Sequence, residues 1–187
     1  GKVYITLMRY KFGDLTPYIY RSANYGKSWS RLNRGMPNNM FARVVREDPA
    51  REGLLYAGTE NGIYVSLDDG RNWQSFQLNL PTVPITDLTI RNNDLVASTQ
   101  GRSFWILDDL TPLHQYSNRI KKSKMHFFNP RPSYRVSGSS SPSKTIGQNP
   151  PNGAVFHFYL KDKLNDKDNF LLEILYKNKI IRIPQRR

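Results

Sequence analysis

Ser66-Leu67-Asp68-Asp69-Gly70-Arg71-Asn72-Trp73 is the stretch that decides the fold, and it follows the strand-like run Gly62-Ile63-Tyr64-Val65. Such a segment has the chemistry of a tight hairpin. An Asp or Asn bonds its own backbone two residues on and tolerates a left-handed conformation. Gly takes positive φ without a Cβ clash. The serine hydroxyl ties the loop to the backbone, and the tryptophan opens the next strand and packs inward. An earlier copy, Ser22-Ala23-Asn24-Tyr25-Gly26-Lys27-Ser28-Trp29, follows Tyr18-Ile19-Tyr20-Arg21. Asn24 replaces the aspartate there, which preserves the turn role. Ser22 and Ser66 are 44 residues apart, as are Trp29 and Trp73, and Pro37 and Pro81. A fixed period of this size signals a propeller, a solenoid or an array.

Working outward, the runs Val3–Leu7, Tyr18–Ser22 and Trp29–Leu32 read as strands. Met8–Thr16 reads as a polar connection that Pro17 ends. Ala42–Arg46, Leu54–Thr59, Ile63–Ser66 and Trp73–Phe76 are four strands in succession, which make one propeller blade. Asn61-Gly62 supplies a strong hairpin signal between the middle two. The cycle restarts at Ile85–Ile90, and Asp94–Thr99 parallels Gly53–Thr59. Ser103–Leu107 follows, then Asp108-Asp109 begins a third turn, but no Gly-x-x-Trp completes it. The count is one complete blade, an incomplete one after it and the back half of one before it. A ring needs about four to eight blades. The expected fold is therefore all-β, an incomplete propeller over residues 1–112. The chain opens on Gly1-Lys2-Val3-Tyr4, already strand-like and without Met, and so reads as a fragment or a processed piece.

Residues 113–151 read as an extended junction, with Met125–Arg135 as an outer strand on the last blade, and a Ser/Pro/Gly-rich linker over 137–151. Residues 152–187 contain strand-like runs at Gly153–Leu160, Phe170–Tyr176 and Ile180–Ile183, as at the start of a β-sandwich.

Composition narrows the function classes. With no cysteine there are no disulfides and no thiolate metal sites. His114, His126 and His157 have no ligand spacing, so neither a metal nor another cofactor is expected. No apolar run reaches membrane-span length. The formal net charge of +13 is spread along the chain without a nucleic-acid recognition motif, so nucleic acid is disfavoured as a partner. Neither a phosphate-binding glycine loop nor a nucleophile elbow is present.

The Ser-x-Asp-x-Gly-x-x-Trp turn resembles the Asp-box, or bacterial neuraminidase repeat. Ser66, Asp68, Gly70 and Trp73 meet it fully, and Ser22, Asn24, Gly26 and Trp29 meet it with one change. The order LLYAGTENGIYVSLDDGRNW, LPTVPITDL and GRSFWILDDLTPL is similar to the C-terminal part of bacterial sortilin-like propeller proteins, many of which are labelled glycosyl hydrolases. FFNPRPSYR and NPPNGAVFHFYLKDK resemble their junction to an immunoglobulin-like domain. The resemblance implies an exported, extracytoplasmic protein. The remaining propeller blades of the parent chain would be its partners, together with a peptide, protein or glycan ligand.

The repeated turn reads as structure, not chemistry: Asp68 and Asp69 suit turn formation and blade-rim contacts better than an acid/base pair. Strand parity places the ligand at the opposite end, where Asp-box enzymes carry their active sites. That end would be lined by Arg34, Asn38, Asn39, Glu60, Asn61, Gln100 and Arg102. Glu60 is the one candidate catalytic carboxylate, although it and Arg102 also suit exposed or paired turn residues. The leading expectation is a ligand-binding propeller segment. The alternatives are part of a sialidase-like or xyloglucanase-like hydrolase, whose second carboxylate lies elsewhere, and an architectural junction between propeller and sandwich.

Overall fold

The structure is a computed structural model that describes residues 1–133, 153–165 and 171–182. It is all-β apart from two short helices and one 3-10 turn. Two compact units are present: one combines residues 1–116 with 128–157, and the other combines 117–127 with 158–187.

The first unit is built from three consecutive antiparallel meanders. The first sheet is β1 (Val3–Arg9), β2 (Asp14–Ser22) and β3 (Ser30–Arg31). The second has four strands: β4 (Ala42–Glu47), β5 (Leu55–Thr59), β6 (Gly62–Ser66) and β7 (Gln74–Ser75). The third is β8 (Ile85–Arg91), β9 (Asp94–Thr99) and β10 (Phe104–Leu107). After β10 the chain enters α1 (Thr111–Gln115).

Side chains alternate between the two faces of a strand, and the second sheet uses both. Leu55 and Ala57 face a core with Ile19, Leu32, Met36 and Trp73. Leu54 and Tyr56 face a separate core with Ile85, Leu88, Leu95 and Leu110. Every residue of β5 is buried. Burial on both faces accounts for its continuous apolar run where a one-sided strand would alternate. Gly58 permits the close approach: a Cβ there would lie 2.6 Å from Ile85 and 2.7 Å from Val44.

Several expectations change. Met8–Thr16 is not a polar connection. β1 and β2 form one long hairpin that closes at the 3-10 turn Tyr10–Phe12, and Pro17 lies inside β2. Leu7 pairs with Tyr18 and Arg9 with Asp14, so the register slips between them and Pro17 falls where the ladder is interrupted. An irregularity of this kind tolerates the missing N–H. The first sheet thus holds three strands, more than a back half. Met125–Phe127 (β11) does not lie on the third sheet; it pairs with Phe158–Leu160 (β12) in the second unit.

That unit also contains α2 (Asn118–Lys122), whose N-terminus is capped by Ser117, and the hairpin of β13 (Ile174–Tyr176) and β14 (Lys179–Arg182). Lys177 and Asn178 form its turn with φ of 49° and 59°, the left-handed pair that a two-residue hairpin favours. The tail strands are shorter than the runs Gly153–Leu160 and Phe170–Tyr176 implied. The linker reading of 137–151 lies outside the described residues.

Candidate functional site

The two repeated turns are chemically the same object. Ser66 Oγ donates to Asp68 Oδ1 (2.9 Å) and accepts from Gly70 N (2.9 Å), while Asp68 Oδ1 accepts from Asn72 N (2.8 Å). Ser22 Oγ likewise donates to Asn24 Oδ1 (3.1 Å) and accepts from Gly26 N (2.8 Å), and Asn24 Oδ1 accepts from Ser28 N (2.9 Å). Tyr25-Gly26 and Asp69-Gly70 share left-handed backbone, with φ of 58° and 83° against 64° and 81°. The motif's polar atoms are thus occupied in holding the turn.

Asp69 looks outward from its turn and accepts from Tyr4, Arg21 and Lys2. Burial raises its pKa, but the Tyr4 hydrogen bond and the charges of Arg21 and Lys2 outweigh that, leaving it below the ordinary carboxylate value. Lys2 also pairs with Glu47 (2.8 Å) and Glu52 (3.0 Å). Burial alone would lower the Lys2 pKa; these carboxylates and Tyr4 carry it above the ordinary lysine value. The cluster clamps the first sheet to the second.

The two tryptophans part company. Trp73 is 4% exposed, with its indole N–H on Leu32 O (3.0 Å) and its backbone N–H on Arg34 O (2.9 Å). Trp29 is 42% exposed. The expectation that both pack inward fails for Trp29, because Trp73 is covered by the preceding sheet and none among the described residues covers Trp29.

At the other end of the meanders, Tyr10 stacks on Phe41 with centroids 4.8 Å apart and planes 14° from parallel. Arg43 places its guanidinium 5.0 Å from the Phe41 centroid, a cation–π distance. It donates to Glu60 Oε2 from Nε (2.9 Å) and Nη2 (2.7 Å). Glu60 N donates to Phe41 O (3.1 Å), which ties the β5–β6 turn to the start of β4. The register of β4 on β5 shifts between Ala42 and Val44. A bulge re-aims a side chain, and here the residue concerned is Arg43. The third sheet repeats the arrangement in backbone only: Gln100 N donates to Pro84 O (2.9 Å), and β8 shifts register between Ile85 and Asp87.

Of the residues singled out in the sequence, Asn38, Asn39, Asn61, Gln100 and Arg102 are all exposed. Asn61 N donates to Thr59 Oγ1 (3.2 Å) and Arg102 N to Thr99 Oγ1 (3.1 Å). Arg34 does not join Glu60; its carbonyl holds Trp73. No bond links Glu60 to any of the other five among the described residues. Glu60 pairs with Arg43 within its sheet.

Sequence reasoning missed Tyr10 and Phe12. They are exposed, Phe12 at 82%, and they reach this end only because β1 and β2 are long. The signal in the sequence is the pair of aromatics, Tyr10 and Phe12, just before Gly13. Also missed was the pairing of His114 Nε2 with Asp48 Oδ2 (2.9 Å), where the Asp48 side chain is fully buried and accepts from Tyr56 as well. That pair anchors α1 to the second sheet.

Among the described residues no cluster of three His, Asp or Glu side chains could hold a metal ion, and no helix is long and apolar enough to cross a membrane. No protein-family model matches the chain, and no curated protein matches it.

Proposed function

We propose that the three meanders are consecutive blades of an Asp-box β-propeller of the sortilin-like kind. In this reading the protein is exported and binds a peptide, protein or glycan ligand at the end bearing Tyr10 and Glu60. One observation carries the binding role: the contiguous set Tyr10, Phe41, Arg43 and Glu60, with the exposed Phe12 in the same 3-10 turn as Tyr10. An exposed tyrosine stacked on a phenylalanine, with a carboxylate held by the arginine over that same ring, is the equipment of a recognition surface. Among the described residues the bonds from Arg43 to Glu60 fall on Oε2, which would leave Oε1 to a ligand. Trp29 marks the place where a further blade of the parent chain would pack, as the first sheet packs on Trp73.

The hydrolase alternative gives Glu60 a catalytic role. The double bond from Arg43 supports positioning of the carboxylate instead, and retention or inversion would require a second carboxylate at a set separation.

The test is direct binding to an array of neutral, sialylated and uronic-acid oligosaccharides and to a peptide library. Wild type is compared with Tyr10→Ala and Phe12→Ala. Both side chains are exposed, so folding is retained. We expect hits whose affinity falls by about tenfold or more in at least one variant. Hits indifferent to both substitutions, or none at all, would overturn the reading.

A further inference from the structure

The third sheet stops one strand short of the second. In the second sheet, β6 is joined by β7, with Tyr64 opposite Ser75 and Val65 opposite Gln74. The chain enters β7 through Trp73, which is seated against the first sheet. In the third sheet, Asp109 adopts the same left-handed backbone as Asp69, with φ of 65°. Leu110 then stands where Gly70 would, buries itself in the core, and the chain leaves for α1. Among the described residues β10 is left as an edge, with Phe104 and Ile106 exposed along it.

Beside that edge, between the second and third sheets, lies a shallow open groove. Its lining repeats the surroundings of Trp73 position by position. Ile63 stands for Ile19, Phe76 for Leu32, Asn79 for Gly35, Leu80 for Met36, Leu95 for Leu55 and Ala97 for Ala57. Two backbone bonds establish the correspondence independently. Leu32 N donates to Ile19 O and Phe76 N to Ile63 O, both at 2.8 Å. Met36 N donates to Asn33 O (3.1 Å) and Leu80 N to Gln77 O (2.8 Å). The carbonyls that hold Trp73, those of Leu32 and Arg34, correspond to the carbonyls of Phe76 and Leu78. Among the described residues nothing donates to either of these.

We propose that this groove docks an extended peptide segment that adds a fourth strand to β10 and seats one tryptophan side chain between the second and third sheets. An edge strand offers a row of unpaired N–H and C=O groups, and strand addition draws its affinity from them and its specificity from side-chain pockets. The occupant's chemistry is that of the strand already seated once in the molecule: a tryptophan to fill the apolar seat and donate to Phe76 O, followed by residues that pair with Ile106 and Trp105, the counterparts of Val65 and Tyr64. The inference rests on the repeated seat, so it stands or falls separately from the ligand proposed at the Tyr10 end.

The probe is a fluorescein-labelled peptide with the sequence of residues 70–77, Gly-Arg-Asn-Trp-Gln-Ser-Phe-Gln, titrated with the protein and followed by anisotropy. We expect saturable binding that weakens about tenfold or more when the peptide carries Trp73→Ala. The same loss is expected when the protein carries Leu78→Lys or Ile106→Lys. Both of these groove residues are exposed, so circular dichroism should be unchanged. Absence of saturable binding, equal binding of the alanine peptide, or indifference to both lysine variants would overturn the proposal. So would self-association abolished by Leu78→Lys without peptide binding, which would assign the groove to a second copy of the chain.

Discussion

At the scale of single residues, the two tryptophans offer the sharpest contrast. They occupy the same place in the same turn, but among the described residues only Trp73 has a sheet to pack against. Trp73→Ala removes a buried indole and its hydrogen bond to Leu32 O, and we expect a loss of about 3–5 kcal/mol in urea unfolding. Trp29→Ala should cost no more than about 0.5 kcal/mol, as for other exposed sites; equal losses would contradict the packing described. The turn carboxylates add a pH dependence. For Asp68, burial raises the pKa, but hydrogen bonds from Asn72 and Ser66 outweigh it, so it too is lowered. The unfolded value is about 3.9. Below it the unfolded chain binds protons that the folded Asp68 and Asp69 refuse, so stability rises with pH in that window. The contribution of both groups is complete above about pH 4 and is lost as pH falls through their folded values. The fall in urea midpoint below that pH should be smaller in Asp69→Asn than in wild type. An identical acid limb in the two proteins would remove Asp69 from the account.

At the scale of elements, the close packing of sheets depends on what a strand leaves out. Gly58 lies where the side chains of Ile85 and Val44 press from the third sheet and from β4. Gly58→Ala forces those neighbours to shift and should cost about 1–3 kcal/mol, read as a lowered midpoint with unchanged strand content. A neutral substitution would mean that the sheets approach less closely. Strands such as Leu55–Thr59 and Gly62–Ser66 were legible in the sequence because Asn61-Gly62 and the repeated turn bound them, and Asp94–Thr99 because it parallels Gly53–Thr59. The hairpin of β1 and β2 was not. Local rules start the strand only after Pro17, and the slip in register accommodates the proline inside it. The pairing of Met125–Phe127 with Phe158–Leu160 is a contact between distant segments that no local pattern announces. The exposure of Trp29 likewise depends on what lies beside it rather than on its own motif.

At the scale of the whole molecule, the candidate site follows from strand parity and from two features parity does not predict. Parity placed Asn61, Gln100 and Glu60 at connections between strands, and these connections exist as drawn. The partnership of Arg43 with Glu60 depends on a bulge in β4, and Tyr10 arrives through the unforeseen length of the first hairpin. Arg34 sits apart because its carbonyl is taken by Trp73, a long-range bond. The proposed function has Glu60 held for recognition and not for bond cleavage. The measurement that tests it most directly is hydrolysis of aryl glycosides and xyloglucan oligosaccharides by the full-length protein, comparing wild type with Glu60→Gln at matched circular dichroism. The account predicts no turnover that depends on Glu60. Turnover in wild type that drops by orders of magnitude in the variant would contradict it and make Glu60 a catalytic carboxylate.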